Sequence, residues 1–477
     1  MVFSLLSLIL PFTLSYLLIS APLRQSISGP PWALILLKAL LAAGLALGGT
    51  SCLFFLWLVV AGHSAPTYGW FEQALLGILV LMWLAFQKSD HGVSCEKYSS
   101  PDTVNQKLCN VLLAIFCYVT LTRLVRFVGL SLNSPFGDVD ATHQWTLRAR
   151  FLFSGGDEWG QLISSNIGNS ANAGYPLLLP ATIARFWIYW GDDSQIVPAA
   201  VAGFFTFAII GLGFAALTIL RTRSQGLLVG IALAGTSYLI AHGATQYADV
   251  PLAFYFMATL VLCCLHDKAE SGGASLLVLA GLMAGLAAWT KNEGGVFAVM
   301  VLVARLVTLV PLRGWRIALR EMLVFSAGVA PLALFVLFFK TQIVTGITPI
   351  ASQGVSAVML KLKNISSYME VGQAIASKML RVGHPGLALF AVYWWLVGES
   401  SRPNVITLAR PSAIVVSLML FSYCFIFVIT PFNSVGYQLA TSLDRLWLHL
   451  WPSAMLFFFL RVCTPEEAMG QENSLTR

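Results

Sequence analysis

IVPAAVAGFFTFAIIGLGFAALTIL, residues 196–220, is a run of 25 residues without a charged side chain. A helix rises about 1.5 Å per residue, so this run is long enough to cross the roughly 30 Å hydrocarbon core of a bilayer. It shows none of the short-range polar–apolar alternation that a strand of a membrane barrel needs. In hydrocarbon the backbone must satisfy its own hydrogen bonds, and a continuous apolar run does so as a helix.

The pattern repeats outward in both directions. Candidate spans are 2–20, 33–60, 69–87, 108–130, 196–220, 226–242, 250–266, 274–290, 295–311, 321–340, 384–398, 411–430 and 446–461. Of the 477 residues 57% are hydrophobic and 10% charged, against roughly 25% charged in a soluble domain. The expected fold class is therefore all-α, a polytopic transmembrane helical bundle of about 13 spans. The run Val2 to Ser20 lacks a basic segment before it and reads as a span or uncleaved anchor. The net charge of +7 is dispersed over short loops, which encodes topology and contact with membrane lipids and implies no nucleic-acid partner. The eight cysteines lack metal-type spacing and read mostly as small buried hydrophobes.

Tyr175–Trp190 is apolar but short, and carries Pro176, Pro180 and Arg185. Suppose it does not cross. Then Lys88, Lys97, Lys107, Arg221, Arg223, Lys268, Arg313, Arg316, Arg320, Arg402, Arg410 and Arg461 fall on one face, which the positive-inside rule makes cytoplasmic. If it crosses, that pattern breaks. The segment is therefore expected as an amphipathic or re-entrant helix on the outer surface. The organisation that follows is N-terminal spans over 1–130 and a long first outer loop with interfacial helices over 131–195. A central bundle takes 196–340, a second outer loop 341–383, and C-terminal spans with a short tail 384–477.

Four clusters share the outer address. The first loop reads SLNSPFGDVDATHQWTLRARFLFSGGDEWG, residues 131–160, and continues to GYPLLLP. Asp138 and Asp140 follow the exit of the fourth span; Asp157 and Glu158 come later. Between them Leu147, Arg148, Arg150, Phe151 and Leu152 have the spacing of a short interfacial helix. Carboxylates held at a lipid–water edge are partly desolvated and become better bases; the plainer reading is a solvated turn with an Asp helix cap. TKNEGG, 290–295, puts Lys291 and Glu293 on the outer side against the charge rule. They are either a phosphate-holding pair or a hairpin tip in water. YADVPLA, 247–253, places Asp249 at the start of a span with Pro251 in its first turn, the pattern of a cap as well as of a site. TSLDRL, 441–446, places Asp444 and Arg445 at the outer start of the last span, where an arginine braces a helix end or grips a phosphate bidentately.

No single cluster is specific, but their common address is. Cations for a phosphate, carboxylates for an incoming hydroxyl and helices for a tail suit a lipid-linked phosphosugar. No glycine-rich nucleotide loop stands on the cytoplasmic side. The two carboxylate pairs leave a divalent cation as an open cofactor question, and no His/Cys cluster points to zinc.

These motifs resemble the GT-C superfamily of polyprenyl-phosphate-sugar-dependent glycosyltransferases, the group of protein O-mannosyltransferases and aminoarabinose transferases. The resemblance is to a bacterial branch with a DA-x-x-x-W-x-x-x-AR pattern, read here as Asp140, Ala141, Trp145, Ala149 and Arg150. YPLLLP (Tyr175–Pro180), YADxPLA (Tyr247–Ala253), TKNEG (Thr290–Gly294) and TSxDRL (Thr441–Leu446) follow in order. The resemblance implies a GT-C-like bundle in the plasma (inner) membrane, with its active site facing the periplasm or exterior. It implies inverting transfer of a sugar from a polyprenyl-phosphate donor to a hydroxyl of a lipid, glycan or protein acceptor. Asp140 or Asp138 would be the base, and Lys291 and Arg445 would hold the leaving phosphate. Tyr247, Asp249, Glu293, Asp444, Arg150 and Tyr175 complete the substrate-binding set, with Asp157 or Glu158 orienting the acceptor or binding a cation. The chain departs from the family at Gly137–Asp138–Val139–Asp140, where the extra Asp138 gives two candidates for the base. Three spans also precede the usual first one.

A competing class is a transporter or lipid flippase, which needs ionisable residues buried in mid-span and broken helices. His242, Asp249, Lys291 and Asp444 lie at or near span ends, which argues against a relay; Arg123 and Arg126, close to the outer end of the fourth span, are the exceptions and are expected to snorkel or to meet a phosphate. A surface-polysaccharide polymerase or ligase shares the lipid-phosphate substrate and is not separated by these residues.

Overall fold

The structure, a computed structural model, describes residues 2–63, 67–86, 106–161, 174–269, 273–344, 354–382, 384–429 and 435–469. Over these residues it is helical, with one isolated bridge between Glu399 and Val462. The helices are α1 (Val2–Ser26), α2 (Pro31–Ala61), α3 (Thr67–Phe86), α4 (Gln106–Asn133), α5 (Thr146–Ser154), α6 (Leu178–Trp190), α7 (Ile196–Leu220), α8 (Arg223–Gly235) and α9 (Ser237–Ala244). They continue as α10 (Asp249–Lys268), α11 (Ala274–Thr290), α12 (Asn292–Arg313), α13 (Trp315–Phe338), α14 (Val355–Leu362), α15 (Ile365–Val382), α16 (His384–Val397), α17 (Pro403–Val428) and α18 (Val435–Arg461). Lys88 and Lys97, used in the charge argument, lie outside the described residues, as do parts of both long loops expected to face outward.

Each expected span falls on a helix, or for 226–242 on the pair α8–α9. Among the described residues nine helices are long and apolar enough to cross a bilayer, ten if α8 and α9, bent by 56° at Thr236, count as one span. The expected thirteen is therefore more than length and hydropathy support. α11 and α16 are short at 17 and 14 residues, and α18 carries Asp444, Arg445 and His449 through its interior.

The bundle turns its apolar side chains outward as well as inward. Val111, Ile115, Leu121 and Val125 of α4 are all exposed, as are Leu81 and Leu84 of α3. In water such a surface would aggregate; against lipid tails it is matched to its solvent. At the centre stands α10, buried at every residue from Asp249 to His266 and packed on α7, α11 and α18.

The expectation for Tyr175–Trp190, an amphipathic or re-entrant helix on the outer surface, is corrected in one respect: the segment does not lie exposed on the surface. α6 is buried at ten of its thirteen residues and packs against α1, α2, α5, α7 and α11. The reason is Arg185, which finds Glu72 of α3 at 2.8 Å with both side chains almost wholly buried. A charge that counted against insertion is neutralised by one 113 residues away.

Candidate functional site

The N-terminal end of α10 gathers residues from five stretches of chain. Asp249 opens the helix, and its Oδ1 accepts from Lys291 Nζ at 2.9 Å and lies 2.6 Å from His449 Nε2. Lys291 is the single residue between α11 and α12, and its ammonium also reaches Glu293 at 3.4 Å. The tight hairpin that aims it depends on Gly294, where a Cβ would lie 2.0 Å from the carbonyl oxygen of Ala287. His449 is fully buried in α18, its Nδ1 3.1 Å from the Tyr423 hydroxyl. One turn earlier on α18, Arg445 pairs with Asp140 and lies over the Tyr247 ring at 5.6 Å.

Asp140 is set in place by backbone fit between two turns. Gly137, at φ +73, brings the amide of Asp138 3.2 Å from the carbonyl of Thr245, and Gln246 Nε2 donates to Pro135 O at 3.1 Å. A side chain at 137 would place its Cβ 2.5 Å from that same Thr245 carbonyl. Docked in this way, the Asp140 amide donates to the Tyr247 hydroxyl at 3.2 Å. Asp140 then leads into a π-helical turn, Ala141–Trp145, ahead of α5. A second π-turn, Phe339–Ile343, ends α13 and carries Lys340, whose Nζ donates to Asn292 Oδ1 at 2.6 Å and to Gly174 O at 2.5 Å. Such turns concentrate at functional sites.

Tyr175 closes the group. Its ring lies 5.4 Å from Lys291 Nζ and its carbonyl accepts from Arg148 at 3.0 Å. The negative charge of Glu293, with burial second, pushes the Tyr175 phenol up to about 12. Burial does the same at Tyr247, also to about 12. Near neutral pH both are protonated, so they serve as hydrogen-bonding groups rather than phenolate bases.

Asp140, Tyr175, Tyr247, Asp249, Lys291, Glu293 and Arg445 thus form one connected set. The hairpin-tip reading of Lys291 is corrected: the residue is 2% exposed. TSLDRL does not begin a helix: α18 starts at Val435, and Asp444 is half-buried beside Arg445 within it. Other expected residues stand apart. Asp157 is nearly fully exposed, 3.7 Å from His63, and Glu158 accepts from Gln161. Arg150 pairs with Asp193 at 3.1 Å. Asp138 is exposed, its carboxylate accepting from the Val139 amide at 2.8 Å.

Among the described residues, Asp249 Oδ2, Glu293 Oε2 and Arg445 Nε of the cluster, with His242 Nε2 nearby, are buried without a hydrogen-bond partner. The His242 ring is stacked on Tyr238 at 5.0 Å and edge-on to Tyr247 at 5.4 Å. Sequence reasoning did not single out His449, Tyr423, Arg148 or Lys340 as site residues. The one available signal was a lone histidine inside the apolar stretch Leu448–Trp451.

Among the described residues, the one group of His, Cys and acidic side chains close enough for a metal ion is His266, Asp267 and Glu321, at the opposite end of α10. Arg305 already occupies it, 2.9 Å from Asp267 and paired with Glu321, so an ion there would have to displace a guanidinium. No family model, curated protein or solved structure matches the chain.

Proposed function

We propose that the chain is an integral membrane glycosyltransferase that moves a sugar from a polyprenyl-phosphate donor to an acceptor hydroxyl at the outer face of the membrane, with inversion. The observation that carries this reading is the convergence of Asp140, Arg445, Lys291 and Asp249 on one connected set at the mouth of α10. The donor phosphate takes the guanidinium of Arg445 bidentately and the charge of Lys291. Arg445 thereby leaves Asp140, which becomes free to accept a proton.

Asp140 removes the proton of the acceptor hydroxyl as that oxygen attacks the anomeric carbon from the face opposite the phosphate. The carbon–oxygen bond to the lipid phosphate breaks, and its electron pair leaves with the phosphate, where Lys291 and Arg445 stabilise the charge. Asp249 and His449 act behind Lys291 as positioning residues. The GT-C resemblance of the sequence motifs supports the same assignment, including the outer orientation in the plasma membrane.

The test is to incubate purified protein with polyprenyl-phosphate sugars and follow release of the lipid phosphate. The wild type should release it, and Asp140→Asn should not while folding normally. Wild-type release by both Asp140→Asn and Asp138→Asn would remove the mechanism.

A second reading has its own support. His449 lies deep in α18, fully buried and joined to Asp249 and Tyr423, and the α8–α9 span is broken. Those are features of a proton-coupled transporter or flippase. Movement of the lipid across proteoliposomes without cleavage would select that reading.

A further inference from the structure

α1, α2, α6 and α7 enclose a cavity of about 600 Å³ that none of the outer-cluster residues line. Its size is within the range of roughly 300–1,000 Å³ typical of small-molecule sites. Small residues, Ala43 of α2 and Ala200 of α7, line it together with Phe12 of α1 and Phe204 of α7. It opens where Leu8, Ile9 and Ile196 are more than half exposed. In a chain that crosses a bilayer, that opening meets lipid.

The one charged side chain in the wall is Arg185, and its charge is already answered. Glu72 takes Arg185 Nε at 2.8 and 3.1 Å, Tyr68 at 2.9 Å and Tyr189 at 2.5 Å, while Arg185 also donates to Ser7 O at 2.6 Å. The wall therefore asks for no anion, and apart from Ser7, Thr50, Arg185 and Tyr189 its lining residues are apolar. What fits is an uncharged hydrocarbon chain. At the rim, Trp190 is 55% exposed, an aromatic residue of the kind that sits at headgroup level. Two residues on, Asp192 is exposed and, among the described residues, in no ion pair with a cation. It complements the amine of a zwitterionic headgroup.

We infer that this cavity is a lipid site that holds one acyl chain of an amine-bearing bilayer phospholipid, with the headgroup at Trp190 and Asp192. The site gives the N-terminal helices α1–α3 a function: α1 and α2 form its walls, and α3 supplies the carboxylate that neutralises Arg185. This inference does not depend on the transferase reading.

The experiment places the full-length protein in nanodiscs containing a phosphatidylethanolamine whose acyl chain bears a photoactivatable diazirine, and maps the adducts. Labelling is expected on residues 8–12 of α1 and 200–204 of α7. It should fall at least fivefold in Ala200→Phe and Ala43→Phe, which fill the space. A neighbouring cavity of about 430 Å³ lined by Leu14, Leu18 and Trp83 should label equally in all three proteins. Excess unlabelled phosphatidylethanolamine should compete. Uniform labelling along α1 and α4, unchanged labelling in the phenylalanine variants, or competition by polyprenyl phosphate alone would each overturn the assignment. If a variant does not fold, the wild-type map and the competition decide it.

Discussion

Two buried ion-pair networks in this molecule are built from similar residues and are finished differently. At Glu72 both carboxylate oxygens are taken, by Tyr68, Tyr189 and Arg185, and Arg185 spends a further donor on Ser7. At Asp249 a single oxygen takes both Lys291 and His449, and among the described residues Oδ2, like Glu293 Oε2 and Arg445 Nε, meets no hydrogen-bond partner. The first network is a brace that joins α3 to α6. The second is only partly closed, its Asp140–Arg445 edge being about a quarter exposed on each side. Access separates the two: Glu72 and Arg185 are closed off, whereas Asp140 and Arg445 stay partly open.

That contrast can be broken by substitution. Asp140→Asn should lower transfer by about 10²–10⁴-fold, the range of a lost general base, with an unchanged melting temperature; equal loss of both would make Asp140 structural. Glu72→Gln should do the reverse. It leaves Arg185 buried without its carboxylate, at a cost of about 3–5 kcal/mol, and the double change Glu72→Leu/Arg185→Met should recover most of it. Transfer per folded molecule should stay at the wild-type level.

Smaller effects sharpen the boundary. Arg445→Lys keeps the charge and loses the bidentate fork, so the KM for the lipid-phosphate donor should rise about tenfold with a smaller change in kcat. Gly137→Ala, at φ +73 against the Thr245 carbonyl, should cost about 1–2 kcal/mol in a denaturation curve and lower kcat by displacing Asp140. Glu158→Gln, well away from the cluster, should change stability by no more than about 0.5 kcal/mol and leave transfer alone.

The apolar runs made the helical membrane class legible, because a bilayer permits so few alternatives. Asp140, Asp249, Lys291 and Arg445 were legible as addresses, through their short motifs and the sidedness of the loops. Their pairings were not. Asp140 and Arg445 are 305 residues apart, and nothing local to either names the other. The buried course of α6 was hidden for the same reason: Arg185 reads as a surface residue until Glu72 is beside it. Asp157 and Glu158 show the opposite error, since acidic residues at the right depth in sequence carry no information on distance. His449 had no turn, cap or charge pattern around it, and only the packing of α18 on α10 gives it a partner.

The central claim is that phosphate takes Arg445 from Asp140, and equilibrium binding of polyprenyl phosphate to the wild type, Arg445→Gln and Asp140→Asn tests it most directly. The account predicts that Arg445→Gln loses at least tenfold in affinity, while Asp140→Asn binds as tightly as the wild type or more so, because a competing carboxylate is gone. Undiminished binding by Arg445→Gln, or binding abolished by Asp140→Asn in a folded protein, would contradict it.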